Sequence, residues 1–197
     1  MGPKGTATRR RIVERAAPVF NQRGYWGASM SDLMEATGLE KGGLYNHFGS
    51  KESLALEAFD HNTDVVADRI RAALEGTTGA VERLQAVITA FRTFVEKPPF
   101  PGGCPLLNTA TESDDTHPLL RDRARTRMTE LVDGTVGRIV KRGIEKGELR
   151  PDVDAKQTAT VIVAALEGAI MLSRLYDSPG PMRRTATHLT EWVETLR

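Results

Sequence analysis

The segment from Gly38 to Lys51 constrains the fold more than any other, because it packs a turn, a very short helix and the start of another helix into fourteen residues. Its apolar residues are few and spaced, at Leu39, Leu44 and Phe48. Between them stand two glycines, a cation, a phenol, an amide and an imidazole. Glycines permit close approach, and these polar groups donate hydrogen bonds to phosphates and base edges. We therefore expect a helix whose outer face meets a polyanion.

The composition favours an all-α protein with a substantial core. Apolar residues make up 40% of the 197-residue chain and aromatic residues 6%, and long strand-like runs of Val, Ile, Thr and aromatic residues are absent. The single cysteine excludes an intrachain disulfide and fits a reducing compartment. No apolar stretch approaches the roughly 18 residues that a membrane span needs. Because the N-terminus leads into charged residues, we expect a cytoplasmic protein that is neither exported nor membrane-bound.

Charge is distributed unevenly along the chain. Residues 1–51 contain eight Lys and Arg against four Asp and Glu, a net charge of +4, and the remainder contains 19 against 22, a net charge of −3. A basic N-terminal part on an acidic body has the sign expected for a DNA-binding head. Ordinary scatter of charge is the alternative explanation if this feature is taken alone.

Three helices are predicted in the N-terminal part. An apolar stripe at intervals of four residues predicts a first helix over residues 8–23, although Pro18 removes a backbone hydrogen bond inside it. Ser29 and Asp32 have the spacing of a capping box and predict a second helix. A third helix is expected over residues 41–48.

The rest of the chain predicts six further helices and no strand, which makes about nine helices in total. They are expected after residue 50, over residues 81–95 and 105–112, around residues 124–143, and over residues 154–176 and 182–196. We expect two domains, a helix-turn-helix DNA-binding domain at residues 1–50 and a ligand-binding and dimerisation domain at residues 51–197. The long fourth helix is expected to join them directly.

A three-residue turn between two short helices is the helix-turn-helix arrangement, whose second helix lies in the major groove of DNA. Over residues 8–53 the sequence resembles the TetR (tetracycline-repressor-like) family of bacterial transcription regulators. The most specific part is the run Leu-Tyr-Asn-His-Phe at residues 44–48, with Lys51 following it. Beyond residue 53 only the helical layout is similar. The resemblance implies a homodimer of all-α subunits that binds double-stranded operator DNA.

The resemblance also implies which residues meet DNA. Tyr45, His47 and Lys51 are expected on phosphates, and Ser29 at a helix N-terminus that faces a phosphate. The lysine and the two glycines that begin the third helix are expected near the bases. The full expected set is Arg10, Ser29, Lys41, Gly42, Gly43, Tyr45, Asn46, His47 and Lys51.

Alternatives stay open at several of these positions. Tyr45 could be partly buried against the first helix. Arg9, Arg10 and Arg11 could form an arm over phosphate or in the minor groove, or they could be a solvated, charged helix start. Glu40 departs from the family pattern, since a small hydroxyl cap is commoner there, and it places an anion close to DNA.

A ligand pocket is expected between helices of the body. A pocket of this kind combines apolar walls with a few placed polar groups. The apolar candidates could equally be ordinary core, and the polar ones could be exposed to solvent or to an interface. The expected lining is Phe59, Phe91, Phe94, Cys104, Leu107, Asn108, Met128, Glu167 and Met171, and the expected effector is an apolar small molecule.

Cys104 supports an alternative function. The segment from Gly102 to Asn108 resembles one subgroup of the family, in which Gly-Cys opens a short helix. A thiol at a helix N-terminus reacts readily with electrophiles and oxidants, so the alternative is an electrophile- or redox-sensing regulator. A small buried core thiol is the competing interpretation.

Enzymatic motifs are absent from the sequence. It contains no Gly-x-Ser-x-Gly, no Gly-x-Gly-x-x-Gly and no Walker A phosphate loop, so we expect no enzyme and no cofactor. Acidic residues and His117 cluster at residues 112–117 without a known metal-ligand spacing, and we expect no metal site. A scaffold that binds DNA without a ligand is a further alternative.

The expected function is a ligand-responsive transcriptional regulator, most simply a repressor that an apolar small molecule releases from a palindromic operator. The homodimer is expected to form through the last two helices. Small residues around Gly168 and Ala169 allow close helix approach, and the final helix carries apolar residues spaced 4-3-4-3.

Overall fold

The computed structural model describes residues 3–197, with side chains from residue 5 onward. All regular secondary structure in this range is helical. The α-helices are α1 (Pro3–Gly27), α2 (Met30–Thr37), α3 (Lys41–His47), α4 (Lys51–Leu74), α5 (Ala80–Glu96), α6 (Pro105–Ser113), α7 (Pro118–Leu131), α8 (Arg138–Glu145), α9 (Ala155–Leu175) and α10 (Gly180–Glu194). A π-helical segment, Val132–Gly137, joins α7 to α8 without a break. With these three counted as one rod, the described chain has nine helices, and the all-α prediction is confirmed.

Helix α1 begins earlier than the sequence predicts and is interrupted where the sequence places its end. Gly24 has φ 73° and ψ 176°, outside the helical region. The backbone therefore requires glycine, and a Cβ at this position would also displace the Glu112 carboxylate, whose oxygens would lie 2.5 Å from it. Pro18 stays within the helical part of α1.

The chain divides into two compact units. Unit 1 comprises Met1–Val65 and Phe100–Ala124, and unit 2 comprises Val66–Pro99 and Arg125–Arg197. Helices α4 and α7 each contribute residues to both units. The expected functional domains, residues 1–50 and 51–197, are a different partition, and they stay a prediction.

Unit 1 is organised around a core in which α1, α2, α3 and the start of α4 bury one face each. Leu33, Leu44 and Phe48 are 0–2% exposed in this core, and Leu39 packs against it. The remaining core is formed by the apolar stripe of α1 and by α4. Its buried members are Ile12, Val13, Ala16, Ala17, Phe20, Ala28, Leu54, Ala55 and Ala58.

Unit 2 is a set of packed helices in which α10 lies against α5 and α9, and α9 lies against the π-helical segment. The apolar stripe of the last helix is entirely buried within this unit. Its members are Met182, Ala186, Leu189, Val193 and Leu196. The subunit's own core already covers this stripe, so the stripe is not free to meet a second subunit, and the homodimer through the last two helices stays a prediction.

Helix α9 corrects the statement that no apolar stretch has membrane-spanning length. It has 21 residues and an 18-residue window of mean hydropathy 1.5, half of which is buried inside the protein. Among the described residues it is the one helix long and apolar enough to cross a membrane by length and composition. Core helices of soluble proteins meet the same criterion, and α9 packs against α10 and the π-helical segment.

Candidate nucleic-acid interface

Helix α2 begins with the capping box that the sequence predicts. The Ser29 hydroxyl oxygen accepts a hydrogen bond from the Asp32 backbone N–H at 3.1 Å, and the Asp32 carboxylate accepts one from the Ser29 backbone N–H at 2.8 Å. The Ser29 hydroxyl also donates to Asp32 at 2.8 Å. These bonds, together with Arg23, hold the pKa of Asp32 below its ordinary range. The Ser29 hydroxyl already donates to and accepts from Asp32. Ser29 is exposed, but its hydroxyl would have to leave Asp32 in order to donate to a phosphate.

The turn between α2 and α3 has the expected length of three residues. Gly38 adopts the left-handed conformation, with φ 70°, and its N–H donates to the Met34 carbonyl at 2.9 Å. Arg15 on α1 donates to the Thr37 carbonyl at 3.2 Å. Glu40 occupies the N-cap of α3 but makes no side-chain capping bond, so its carboxylate leaves the first N–H groups of α3 uncovered.

Helix α3 separates a buried face from an exposed one. Leu44 is 2% exposed, and Phe48, which caps the helix at its C-terminus, is equally buried. Lys41, Tyr45 and Asn46 lie on the exposed side, and Tyr45 is 42% exposed. More than half of the Tyr45 side chain is covered, so partial burial of Tyr45 stays open alongside a contact with phosphate. The ammonium of Lys41 lies 6.0 Å from the Tyr45 ring centre.

The two glycines of α3 are not required by the packing of the protein. A Cβ on Gly42 would meet nothing within 4 Å, and one on Gly43 would touch Leu39 at an ordinary 3.6 Å. Each glycine costs about 1 kcal/mol of helix stability relative to alanine. Two adjacent glycines that the packing does not require, with open space above Gly42, therefore indicate a surface shaped for the close approach of another molecule.

Arg9 holds the end of α3 in place. It ion-pairs with Glu57, its guanidinium lies 4.0 Å from the Phe48 ring centre, and it donates to the His47 carbonyl. The three arginines at residues 9–11 all lie inside α1, which begins at Pro3. An arm formed by Arg9, Arg10 and Arg11 ahead of the helix is therefore wrong. Arg10 is 82% exposed and pairs with Glu14 at 3.0 Å.

His47 and Lys51 are less exposed than the other expected contacts. The His47 ring is half-buried, and its Nδ1 has no hydrogen-bond partner among the described residues. The Lys51 ammonium donates to the Tyr25 carbonyl at 2.5 Å and lies 4.6 Å from the Tyr25 ring centre. Burial lowers the pKa of Lys51, opposed in part by Glu112 and Asp32. Lys51 therefore joins α4 to the end of α1 in addition to any phosphate contact.

Comparison with known proteins assigns the family. Residues 12–58 match the N-terminal domain described as bacterial regulatory proteins of the tetR family, and residues 80–189 match the tetracyclin repressor-like C-terminal domain. The chain belongs to the TetR family. It is accordingly a DNA-binding transcriptional regulator with an N-terminal helix-turn-helix, and proteins of this family are transcription factors rather than enzymes.

Individual TetR-family proteins match nearly the whole chain. A TetR regulator from Chloroflexus aurantiacus J-10-FL is 47% identical, with a TM-score of 0.94, over 98% of this chain and 97% of its own. The transcriptional repressor DhaR of Mycobacterium sp. strain GP1 is 27% identical over 94% of this chain and 92% of its own. A cysteine mutant of CifR, solved with a 26-base-pair operator DNA, is 27% identical, with a TM-score of 0.80, over 91% and 94% of the two chains.

A group of residues around Glu112 in this TetR-family protein lies outside the expected DNA-binding set. The Glu112 carboxylate accepts hydrogen bonds from the backbone N–H groups of Tyr25 and Trp26 at 2.9 and 3.0 Å. Trp26 also donates from its indole to Thr116 at 3.3 Å. The acidic segment at residues 112–117, considered above as a possible metal site, thus supplies a cap for the end of α1. No group of three or more His, Cys, Asp and Glu in the described chain could hold a metal ion.

His117 belongs to the same group. Its Nδ1 accepts from the Leu120 backbone N–H at 3.3 Å at the start of α7, and its Nε2 lies 3.2 Å from the Glu52 carboxylate. The imidazole packs edge-on against the Tyr25 ring, 4.6 Å between centres. Sequence spacing could not reveal this group, because Tyr25 and Trp26 lie more than 80 residues before Glu112 and His117.

The expected ligand-pocket residues are divided between the two units. Phe59, Cys104, Leu107 and Asn108 belong to unit 1, and the others belong to unit 2. Phe59 lines a cavity of about 30 Å³ in unit 1, together with Asn62 and other residues. This volume holds one or two water molecules, so an effector of ordinary size requires the cavity to open.

Several of the expected pocket residues have structural roles instead. Asn108 donates from its amide to the Asn21 carbonyl at 3.1 Å and to the Gly102 carbonyl at 2.8 Å, so it ties the segment before α6 to α1. Cys104 is 3% exposed at the N-cap of α6, which favours the core-thiol interpretation over attack by a dissolved electrophile.

The pocket candidates in unit 2 also differ in their exposure to solvent. Phe91, Phe94 and Glu167 are 4–6% exposed, and Met128 is half-buried. Met171 is 50% exposed on α9. Its side chain lies on the outer surface of the subunit, and its assignment to a pocket stays a prediction.

Proposed function

We propose that this TetR-family regulator is a repressor that binds a palindromic operator as a homodimer and leaves it when a small molecule binds the body. The outer face of α3 carries the proposal for DNA. It combines an exposed cation, phenol and amide with two glycines that the fold does not need. The name of DhaR, a transcriptional repressor, supports repression rather than activation.

The residues of α3 divide into two kinds of contact. Lys41 and the two glycines stand in its first turn, where a recognition helix meets base edges. Tyr45 and His47 stand in its last turn, where they contact phosphates. Phosphate contacts carry the salt dependence and act on every sequence, whereas base contacts discriminate between sequences.

DNA selection followed by footprinting tests this division. Lys41→Ala is expected to relax the preference at one position of each half-site while random DNA binds nearly as before. Tyr45→Phe is expected to weaken specific and random DNA equally. An equal loss on both DNAs for Lys41→Ala would show that Lys41 also contacts phosphate, and absence of any footprint for the wild type would refute operator binding.

Dimerisation is supported by an exposed apolar stripe on α9. Val161, Met171, Leu172 and Leu175 are 36–71% exposed, and they recur at helical spacing on one face. Gly168 lies between them with open space above its Cα. Contiguous exposed apolar surface of this kind marks an interaction site, and a two-fold dimer presents two α3 helices to a palindrome.

Hydrogen bonds from α4 and α6 to the end of α1 support the effector response. Glu112 of α6 holds the backbone at Tyr25 and Trp26, and Lys51 at the start of α4 holds the Tyr25 carbonyl. A ligand that widens the cavity beside Phe59 displaces α4 or α6 and thereby moves α1 and α3. The apolar wall that Phe59 provides suits a mostly apolar ligand.

Calorimetry tests the coupling once a ligand has been found by thermal-shift screening. The ligand must bind the free and DNA-bound states unequally, by about 1–3 kcal/mol for typical coupling, and by reciprocity operator DNA weakens ligand binding by the same factor. Equal ligand affinity with and without operator would contradict the proposed release. A ligand that binds more tightly in the presence of operator would indicate a co-repressor.

A further inference from the structure

A basic cleft lies in unit 2, among the end of α4, the start of α5, the π-helical segment and α8. Its volume is about 340 Å³, in the range of pockets that hold small ligands. All the residues that line it belong to unit 2, and none belongs to the helix-turn-helix or to the expected effector pocket. The cleft therefore stands apart from the proposed function.

The charge of the cleft is strongly one-sided. Arg83, Arg138, Arg142 and Lys146 line it, and Glu148 is the one acidic residue in its lining, so four cations and one anion leave a formal charge of +3. The Glu148 carboxylate accepts from the Ala80 backbone N–H at 2.7 Å and lies 3.9 Å from the Lys146 ammonium. The Glu148 carboxylate is thus held at the start of α5 and beside Lys146, and it pairs with none of the three guanidinium groups.

The guanidinium groups approach the cleft from two helices. Arg83 on α5 is held by the Thr77 carbonyl at 3.2 Å. Arg138 on α8 donates to the Gly134 carbonyl, at 2.6 Å from its Nε. Arg142 stands one turn after Arg138, and no hydrogen bond or ion pair engages its side chain within the described chain. Two guanidinium groups are thus held in place, and the third is free to turn toward a ligand in the cleft.

The π-helical segment shapes the wall of the cleft. Single π turns inside α-helices often occur at functional sites. Gly134 stands in this segment with the Arg138 guanidinium 3.5 Å from the position of a Cβ. The carbonyl of Gly134 can orient Arg138 because a π turn leaves carbonyl groups without their usual α-helical partner.

We propose that this cleft binds a small, phosphate-bearing polyanion. Planar guanidinium groups bind phosphate oxygens in pairs of parallel hydrogen bonds, and three of them with one lysine match a ligand of two or three negative charges. Only Leu74 and Ile139 among the principal side chains of the lining are large and apolar. The cleft is therefore suited to a charged metabolite rather than to the apolar effector.

Isothermal titration of the intact protein with pyrophosphate, in a phosphate-free buffer, tests this site. We expect saturable binding of one pyrophosphate per subunit. Arg142→Gln should weaken it at least about tenfold, because a charge-assisted bidentate contact is lost, and Lys146→Gln should weaken it less. Arg92→Gln, which removes one exposed arginine from α5 outside the cleft, is the matched control and should leave the affinity unchanged.

Two further controls define the outcome. Lys41→Gln removes a cation from the proposed DNA surface, so unchanged pyrophosphate affinity in this variant assigns the binding to the cleft. Citrate, a polyanion without phosphate, is expected to bind at least tenfold more weakly, and equal binding would overturn the ligand class. No saturable binding by the wild type, or equal losses for Arg142→Gln and Arg92→Gln, would overturn the site itself.

Discussion

Gly42 shows at residue scale how the fold and the DNA surface make opposite demands. An alanine there would improve helix propensity by about 1 kcal/mol, and its methyl group would meet nothing within 4 Å in the protein. The same methyl group would project from the exposed face of α3, where close approach to DNA is proposed. Gly42 weakens its own helix and relieves no clash inside the protein. The proposed contact of α3 with DNA explains why a glycine stands there.

We expect Gly42→Ala to raise the free energy of unfolding by about 0.5–1 kcal/mol and to weaken operator binding at the same time. Urea denaturation and a fluorescence-anisotropy titration with operator DNA measure the two effects. Gln157→Ala, an exposed change on α9, is the control that should leave operator affinity unchanged. Greater stability with unchanged operator affinity would show that DNA does not approach Gly42.

Asp32 links the residue scale to pH. Its folded-state pKa lies below the ordinary value of 3.8, first because the Ser29 backbone N–H donates to it, and then through the Ser29 hydroxyl and Arg23. The ionised carboxylate therefore stabilises the folded state above about pH 3.8, and this contribution is lost as pH falls through the lowered pKa.

We expect Asp32→Asn to be less stable than the wild type at neutral pH, with the difference shrinking as the pH falls below 4. Denaturation midpoints measured between pH 7 and the acid limit of folding test this expectation. A difference that stays constant over the whole range would show that the charge of Asp32 contributes nothing and that the asparagine is merely a poorer cap.

At the scale of elements, α6 acts as a clamp on the end of α1. Glu112 caps two backbone N–H groups that follow the break at Gly24, and Asn108 one turn earlier binds the Asn21 carbonyl. The end of α1 is therefore held by α6 as well as by α4. In the proposed effector response, movement of α6 is a route to DNA that does not require bending of α4.

We expect Glu112→Ala to lower the free energy of unfolding by about 1–3 kcal/mol, because two backbone donors lose their acceptor, and to reduce operator affinity. Asp115→Ala, which removes an exposed carboxylate three residues later, is the matched control for charge. If Glu112→Ala binds operator as tightly as the control does, α6 does not set the position of α3.

For the whole molecule, assembly depends on which face of α9 is left uncovered. Ala169 is 2% exposed within its own subunit, whereas Leu175 is 71% exposed. A charged residue at Ala169 would therefore destabilise unit 2 rather than separate two subunits.

We expect Leu175→Glu to yield folded monomers whose operator affinity is strongly reduced, because one subunit contacts only one half-site. Sedimentation velocity and circular dichroism measure assembly and folding separately. Lys156→Glu, an exposed substitution in the first turn of α9 that lies outside the apolar stripe, should leave the dimer intact. A Leu175→Glu protein that sediments as a dimer would place the interface elsewhere.

The sequence by itself determined the local features of this protein. The helix class, the capping box at Ser29, the turn that begins at Gly38 and the exposed face of α3 follow from periodicity, caps and turn residues, which act over a few positions. The same segment carries the resemblance that identified the family. The DNA-binding assignment could therefore be predicted from residues 8–53 without knowledge of any long-range contact.

Only the tertiary structure decided which side chains of different helices contact each other. Lys51 reaches Tyr25 across 26 residues and Glu112 reaches it across 87, and no local rule connects such positions. An apolar stripe states that a helix has a partner but not whether the partner is its own subunit, so the sequence did not show that the stripe of α10 is buried within the subunit and that of α9 exposed. Burial and long-range hydrogen bonds depend on the whole chain, because they exist only when distant segments have already met.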